Sequence, residues 1–248
     1  VLRAAHGGIL TLTLNRPDKR NAMNAAMVEG LLEGLEQADL DQTVRVVALR
    51  GAGKDFCAGA DLAELLESVD RSAQENEAEA MRLGEVFIRM RRMPKPVVAA
   101  VEGRALAGGC GLATACDIVL AHEEATFGYP EVSRGFVPAM VMAMLRRAVG
   151  EKVAFDLVGT GRMLTASEAE QLGLVSRVIP AASFEDEVSE VLGRLAESSS
   201  TALAFSKQLL YSMDGMEFEE AIRKGAEVNA VVRGTKDFRE AVSRFLGK

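Results

Sequence analysis

Tryptophan is absent from this chain, histidine occurs twice and cysteine three times. Those scarcities remove whole classes of chemistry. Zinc sites draw on clusters of Cys and His, and His6, Cys57, Cys110, Cys116 and His122 lack ligand spacing. Ser-His-Asp or Cys-His catalysis needs a histidine beside its nucleophile. Neither His6, a surface residue at a Gly7-Gly8 turn, nor His122 stands in such a setting. An odd number of cysteines, with no secretory segment ahead of Val1, reads as reduced thiols in a cytoplasmic protein. Long apolar runs are missing too. The longest, around 97–101, has strand length and not the roughly 20 residues of a membrane span. Positive charge is not in excess: 29 Lys and Arg face 36 Asp and Glu, a net −7. Phosphate binding needs a basic face, so neither nucleic acid nor an anionic membrane is an expected partner.

What is present is an alternation of strand and helix signals. At 248 residues and 48% hydrophobic, the chain has material for one large domain or two small ones. Residues 8–15 alternate apolar and polar side chains, the pattern of a strand with one buried face. After the basic turn 16–22, Asn24 or Asn21 caps a helix running to about Asp39, with Met27, Leu31, Leu32 and Leu35 at helical spacing. A strand follows at 44–50. Residues 63–92 read as polar helix, and their charge between Glu64 and Glu79 makes either a solvated face or a mobile lid over a site. Pro94 and Pro96 end that helix and open a central strand at 96–101. Another strand lies at 117–121 and a helix at about 138–149. From Glu151 onward helices dominate (151–159, 167–172, 183–197, 200–213, 217–231 and 235–247), broken by one strand at 174–179. The pattern predicts an α/β core followed by a helical C-terminal part. No internal repeat is legible.

The stretch of most chemical interest is Ala105-Leu106-Ala107-Gly108-Gly109-Cys110-Gly111-Leu112-Ala113, between two strands. Glycine lets backbone turn sharply and approach a ligand closely. A helix starting there aims unpaired N–H groups at whatever lies in front. The spacing is not that of the phosphate-binding G-x-G-x-x-G, and alone the stretch reads equally as a tight packing joint. A second loop of the same kind, Gly51 to Leu62, also follows a strand. Glu131 follows Pro130 into an apolar segment.

These pieces belong to a set of seven stretches occurring in one order. They are Leu14-Asn15-Arg16-Pro17 with Asn21-Ala22; Phe56-Cys57-Ala58-Gly59-Ala60-Asp61-Leu62; and Lys95-Pro96-Val97-Val98-Ala99-Ala100-Val101. Ala107-Gly108-Gly109-Cys110, Cys116-Asp117-Ile118, Phe127-Gly128-Tyr129-Pro130-Glu131, and Gly159-Thr160-Gly161 before Ala169 and Leu172-Gly173-Leu174-Val175 complete it. Through them the chain resembles the crotonase, or enoyl-CoA hydratase/isomerase, superfamily along essentially its whole length. The resemblance implies an α/β fold: a crotonase-like ββα spiral core over 1–190 and a C-terminal helical trimerisation region over 191–248. It implies a homotrimer or homohexamer acting on an acyl-CoA thioester. The thioester carbonyl would sit between the backbone amides of Ala60 and Gly108, donors worth about 3–4 kcal/mol each by analogy with other oxyanion holes. The coenzyme A portion would run along Arg20, Ala22, Ala58, Asp61 and Leu62, and Gly111 is expected among the substrate- or CoA-binding positions as well. Lys207 or Lys248 would reach a neighbouring subunit's nucleotide. Coenzyme A is part of the substrate, so neither a cofactor nor a metal is expected.

Hydratases of this superfamily carry two glutamates, one on each side of a water. Here the second corresponds to Glu131, but the first falls on Gly111, and Cys110, Leu112 and Ala113 supply no carboxylate. One carboxylate suits shuttling a proton between two carbons, so double-bond isomerisation is favoured, with Glu131 as both acid and base. Phe127, Val132 and Phe136 are expected to desolvate Glu131 and raise its pKa. Two alternatives stand beside this: hydration with one glutamate and a water held by a backbone N–H near Ala139, and a non-catalytic acyl-CoA-binding protein. Restoring the acid with Gly111→Glu is expected to raise hydration. Tyr129 and Arg134 either bind a polar acyl tail or face solvent, solvent being preferred.

Overall fold

The computed structural model describes residues 1–247, so the nucleotide contact expected of Lys248 lies outside the described residues. The chain opens on a hairpin, β1 (Leu2–His6) against β2 (Ile9–Leu14), turning through Gly7 and Gly8 at positive φ. His6 therefore ends a strand. β1 is exposed throughout and lacks the alternation that marks a half-buried strand. Asn24, not Asn21, caps α1 (Ala25–Leu40), accepting from the Met27 N–H at 3.0 Å. After β3 (Val46–Gly51), the polar segment forms two helices, α2 (Leu62–Glu67) and α3 (Ala73–Arg92), the second opened by a Ser72–Glu75 capping box. Then come β4 (Val97–Val101), β5 (Arg104–Leu106), α4 (Gly108–Thr114), β6 (Ile118–His122), β7 (Thr126–Gly128) and a 3-10 turn at Pro130–Arg134. The remainder is α5 (Met142–Val149), α6 (Glu151–Thr160), β8 (Leu164–Thr165), α7 (Ala166–Gln171), β9 (Arg177–Ile179), α8 (Phe184–Glu197), α9 (Ser200–Ser212), α10 (Phe218–Arg233) and α11 (Lys236–Phe245).

Two sheets result. The larger has the order β1-β2-β3-β4-β6-β9, parallel apart from β1, and the smaller has the order β5-β7-β8. β4 is apolar and buried end to end, as a strand covered on both faces must be. One face meets the main core with α1 and α3. On the other, Phe184, Val188 and Leu192 of α8 pack against Val46, Ala48, Val98, Ala100 and Leu120. α8 runs through residue 190, and Leu192, Leu195 and Ala196 beyond it still cover the sheet. Lys207 of α9 is only 8% exposed. Its Nζ donates to Met90 O at 2.7 Å and Lys95 O at 2.9 Å and pairs with Asp117 at 2.7 Å. Lys207 is thus occupied inside the fold and is not available to a nucleotide. α10 and α11 bury no side chain. Among the described residues no helix is long and apolar enough to cross a membrane.

A repeat connects the sheets. Each of three successive strands of the large sheet crosses into the small one and then enters a helix or 3-10 turn. β4 continues into β5 and β6 into β7, while β3 continues to Cys57, which makes a lone parallel bridge to Ala105. The repeat is hidden in the sequence because its second member is three residues long or a single bridge.

Candidate active site

Cys57, Ala105 and Phe127 stand side by side across the small sheet, Cys57 bridging Ala105 and Ala105 facing Phe127. Ala60 and Gly108 follow three residues beyond their own members of that row, and Glu131 four beyond its own. Shared register therefore delivers all three to the same end of the fold. Around Ala60, the Met23 N–H donates to Gly59 O at 2.7 Å and the Asp61 N–H to Met23 O at 2.8 Å. In an extended segment successive N–H groups point to opposite edges, so the Ala60 N–H is turned away from Met23, toward α4. Gly108 is the first residue of α4, where an N–H has no intrahelical acceptor. Among the described residues neither N–H has a backbone acceptor. A methyl built on Gly108 would lie 3.9 Å from the Ala60 nitrogen, and one on Gly59 would lie 3.5 Å from the Gly108 nitrogen. The two free donors are neighbours.

Their support is backbone packed on backbone. A methyl on Gly109 would come within 2.7 Å of Cys57 Cβ, so α4 begins flush against the Cys57 loop. Ala107, at φ 51° and ψ −128°, occupies a region that non-glycine residues avoid. Its N–H is held by Gly128 O at 2.8 Å. The Cys57 loop is tied to β5 by Asp55, whose two carboxylate oxygens accept from Arg104 Nε at 2.6 Å and Nη2 at 2.8 Å. The fully buried Asn21 closes the same loop from the other side, donating to Ala52 O at 2.9 Å and Asp55 O at 2.7 Å.

The expected coenzyme A residues form one patch beside these donors. The Ala58 N–H donates to Arg20 O at 3.0 Å. Arg16 donates to Ala22 O at 2.7 Å and pairs with Asp61 at 2.9 Å. That guanidinium holds the Asp61 carboxyl below its ordinary range, and the same carboxylate caps α2 through the Ala63 N–H at 3.0 Å. Asp61 is thereby committed to the protein, while Arg20 and Leu62 are exposed. Arg16 is the organiser that sequence reasoning passed over. Its only signal was its place in the Leu14–Pro17 stretch.

Glu131, in the 3-10 turn after β7, is only 7% exposed, and among the described residues its Oε2 has no hydrogen-bond partner. Burial pushes its pKa up from the ordinary 4.5. The three residues expected to cause this differ in burial. Phe127 is buried, but Val132 is 46% and Phe136 53% exposed. Tyr129 does not face solvent either: it is fully buried, its hydroxyl 3.0 Å from Thr114 Oγ1 on α4. Arg134 is exposed and donates to Pro130 O at 3.3 Å. Burial raises the Cys110 thiol to about 11, and the Glu131 carboxylate adds to that shift, which puts Glu131 close to α4. Next to Cys110, Gly111 is buried under Val141. A methyl at 111 would lie 2.8 Å from Val141 Cβ and nearer still to its Cγ1. Gly111→Glu alone therefore has no room for its side chain, and the gain in hydration expected of it is withdrawn. The Ala139 N–H is also engaged, donating to Val137 O at 2.8 Å, and is not free to hold a water.

The family model described as Enoyl-CoA hydratase/isomerase matches residues 4–248. The chain belongs to the enoyl-CoA hydratase/isomerase family. A Thermus thermophilus protein, provisionally named an enoyl-CoA hydratase, is 43% identical over 248 residues, covering 100% of this chain and 98% of its own. The 2,3-dehydroadipyl-CoA hydratase of Escherichia coli is 36% identical over 97% of this chain and 92% of its own. The solved structure of an enoyl-CoA hydratase from Mycobacterium smegmatis superposes with a TM-score of 0.94 at 34% identity, covering 99% and 95% of the two chains. The α/β spiral with its C-terminal helices is accordingly the crotonase fold. In this enoyl-CoA hydratase/isomerase family member, two unpaired amides and one buried carboxyl with an unpartnered oxygen lie at one end of the spiral. Such a set can stabilise negative charge on an oxygen while moving a proton nearby.

Proposed function

We propose that this enzyme shifts the double bond of an enoyl-CoA thioester. Glu131 takes a proton from the carbon next to the thioester carbonyl. The electron pair moves onto the carbonyl oxygen, where the Ala60 and Gly108 amides stabilise the enolate. Protonated Glu131 then delivers the proton two carbons further along the acyl chain, and the double bond ends up conjugated with the carbonyl. The observation that carries this reading is the Glu131 carboxyl, buried with an unpartnered oxygen and given no second acid at position 111. Its raised pKa suits a group that must hold a proton between two steps.

The test is turnover of a panel of 3-enoyl- and 2-enoyl-CoA esters by Glu131→Gln. Loss of an acid–base carboxylate lowers turnover by about a thousandfold while CoA-ester binding persists. Unchanged turnover sinks the assignment of Glu131, and a wild type that binds the esters without turning any of them over would make a binding protein the better reading. Water addition is the second reading, favoured by the hydratase names of the relatives. The same panel separates the two, because hydration yields a 3-hydroxyacyl ester and isomerisation does not.

A homotrimer or homohexamer is part of the proposal. Phe218, Ile222, Phe238 and Phe245 stand exposed on α10 and α11, where the chain buries nothing itself. Light scattering on the purified protein should give three or six times the chain mass; a monomer would refute it.

A further inference from the structure

Gly111 lies inside α4, where glycine is unfavourable and no positive φ calls for it. The reason it is there is Val141. This residue is 4% exposed and heads α5, where the Leu145 N–H holds its carbonyl at 2.9 Å. Its isopropyl group occupies the volume that any side chain at 111 would need. Met140, just before it, lies against α3, since a methyl on Gly84 would sit 3.4 Å from the Met140 sulfur. The segment is thus wedged between two helices and cannot simply swing aside.

That volume is chemically placed. Residues three apart share a face of a helix, so a side chain at 111 would lie over Gly108. Its Cα–Cβ bond would tilt toward the N-terminal end of α4, where the Gly108 N–H is unpaired. We infer that Val141 is a specificity-determining residue: it fills with hydrocarbon the space from which a second acid, or a water, would reach the reacting carbons. Glu131 is then left to return its proton to carbon. The inference rests on the isomerisation proposed above.

The test uses Val141→Gly, Gly111→Ala, both together, and Gly111→Glu with Val141→Gly. Val141→Ala substitutes if Val141→Gly does not fold. One readout is the melting temperature. The other is the ratio of 3-hydroxyacyl-CoA to conjugated enoyl-CoA formed from a short 3-enoyl-CoA. Gly111→Ala alone should lower the melting temperature, and Val141→Gly in the same chain should recover most of the loss. The hydrate-to-isomer ratio should rise about tenfold in Val141→Gly, one decade in rate being a modest change in barrier, and further in the Gly111→Glu double variant. Additive melting-temperature losses, or a ratio unchanged in both Val141 variants of an enzyme that isomerises, overturn this inference alone. A wild type that hydrates and never isomerises overturns both this inference and the reading beneath it.

Discussion

The two halves of the site are made of different material. The half proposed to hold the oxyanion is backbone: the Ala60 and Gly108 amides, set by strand register and by glycines at 59 and 109 that let two loops touch. The acid half is side chain: Glu131, the vacancy of a carboxylate at Gly111, and Val141 pressed into its place. Backbone donors survive almost any substitution of the residues that bear them, provided the packing beneath holds. Side chains can be exchanged singly without moving the fold. A scaffold divided this way can keep its charge stabilisation while changing where the proton goes, which is the variation the Gly111–Val141 pairing represents.

Breaking each half in turn should produce different signatures. The largest effect is that of Glu131→Gln, about a thousandfold in turnover, because the side-chain half hangs on one group. Gly109→Ala attacks the backbone half and substitutes no residue of the acid half. Its methyl meets Cys57 Cβ at 2.7 Å, so α4 must back away from the Cys57 loop and the two amides must part. Loss of one well-aimed donor costs on the order of a hundredfold in kcat. Steady-state kinetics on the preferred ester should show that fall. Wild-type kcat in a folded Gly109→Ala would mean the two loops are not what aligns the donors.

The same division explains what could be read from the sequence. Gly108 and Glu131 were legible because both lie in contiguous stretches, Ala107 to Cys110 and Phe127 to Glu131, whose residue types carry the signal. The ββα repeat was not, because β5 and β7 are three residues each and the third counterpart is only the Cys57 bridge. Strand periodicity needs longer runs to show. Val141 was illegible for a different reason. Its role lies in a contact with a glycine thirty positions away, and its own surroundings, Met140 and Met142, read as core filler. The desolvation of Glu131 is legible in its apolar neighbours Phe127, Val132 and Phe136; that Phe127 is buried while Val132 and Phe136 stay half-exposed is not.

The smallest effect sharpens the acid half through stability, not turnover. A carboxyl whose pKa is raised in the folded state binds its proton more tightly there than in the unfolded chain. For Glu131 that contribution is fully present below its ordinary 4.5 and is lost as pH rises through the higher folded value. As pH rises through that folded value the residue becomes a charge held out of water with one oxygen unpartnered, and Glu131→Gln removes that charge. The variant should melt about 2–4 °C above wild type at pH 7, the shift that roughly 1 kcal/mol gives a chain of this size. The gap should narrow as the pH is lowered from 8 toward 5, since protonation relieves the wild type of the same cost. Scanning calorimetry of both proteins across that range checks it. A gap that stays flat or widens on acidification would mean that Glu131 is not desolvated, and the argument for it as a proton carrier would lose its physical basis.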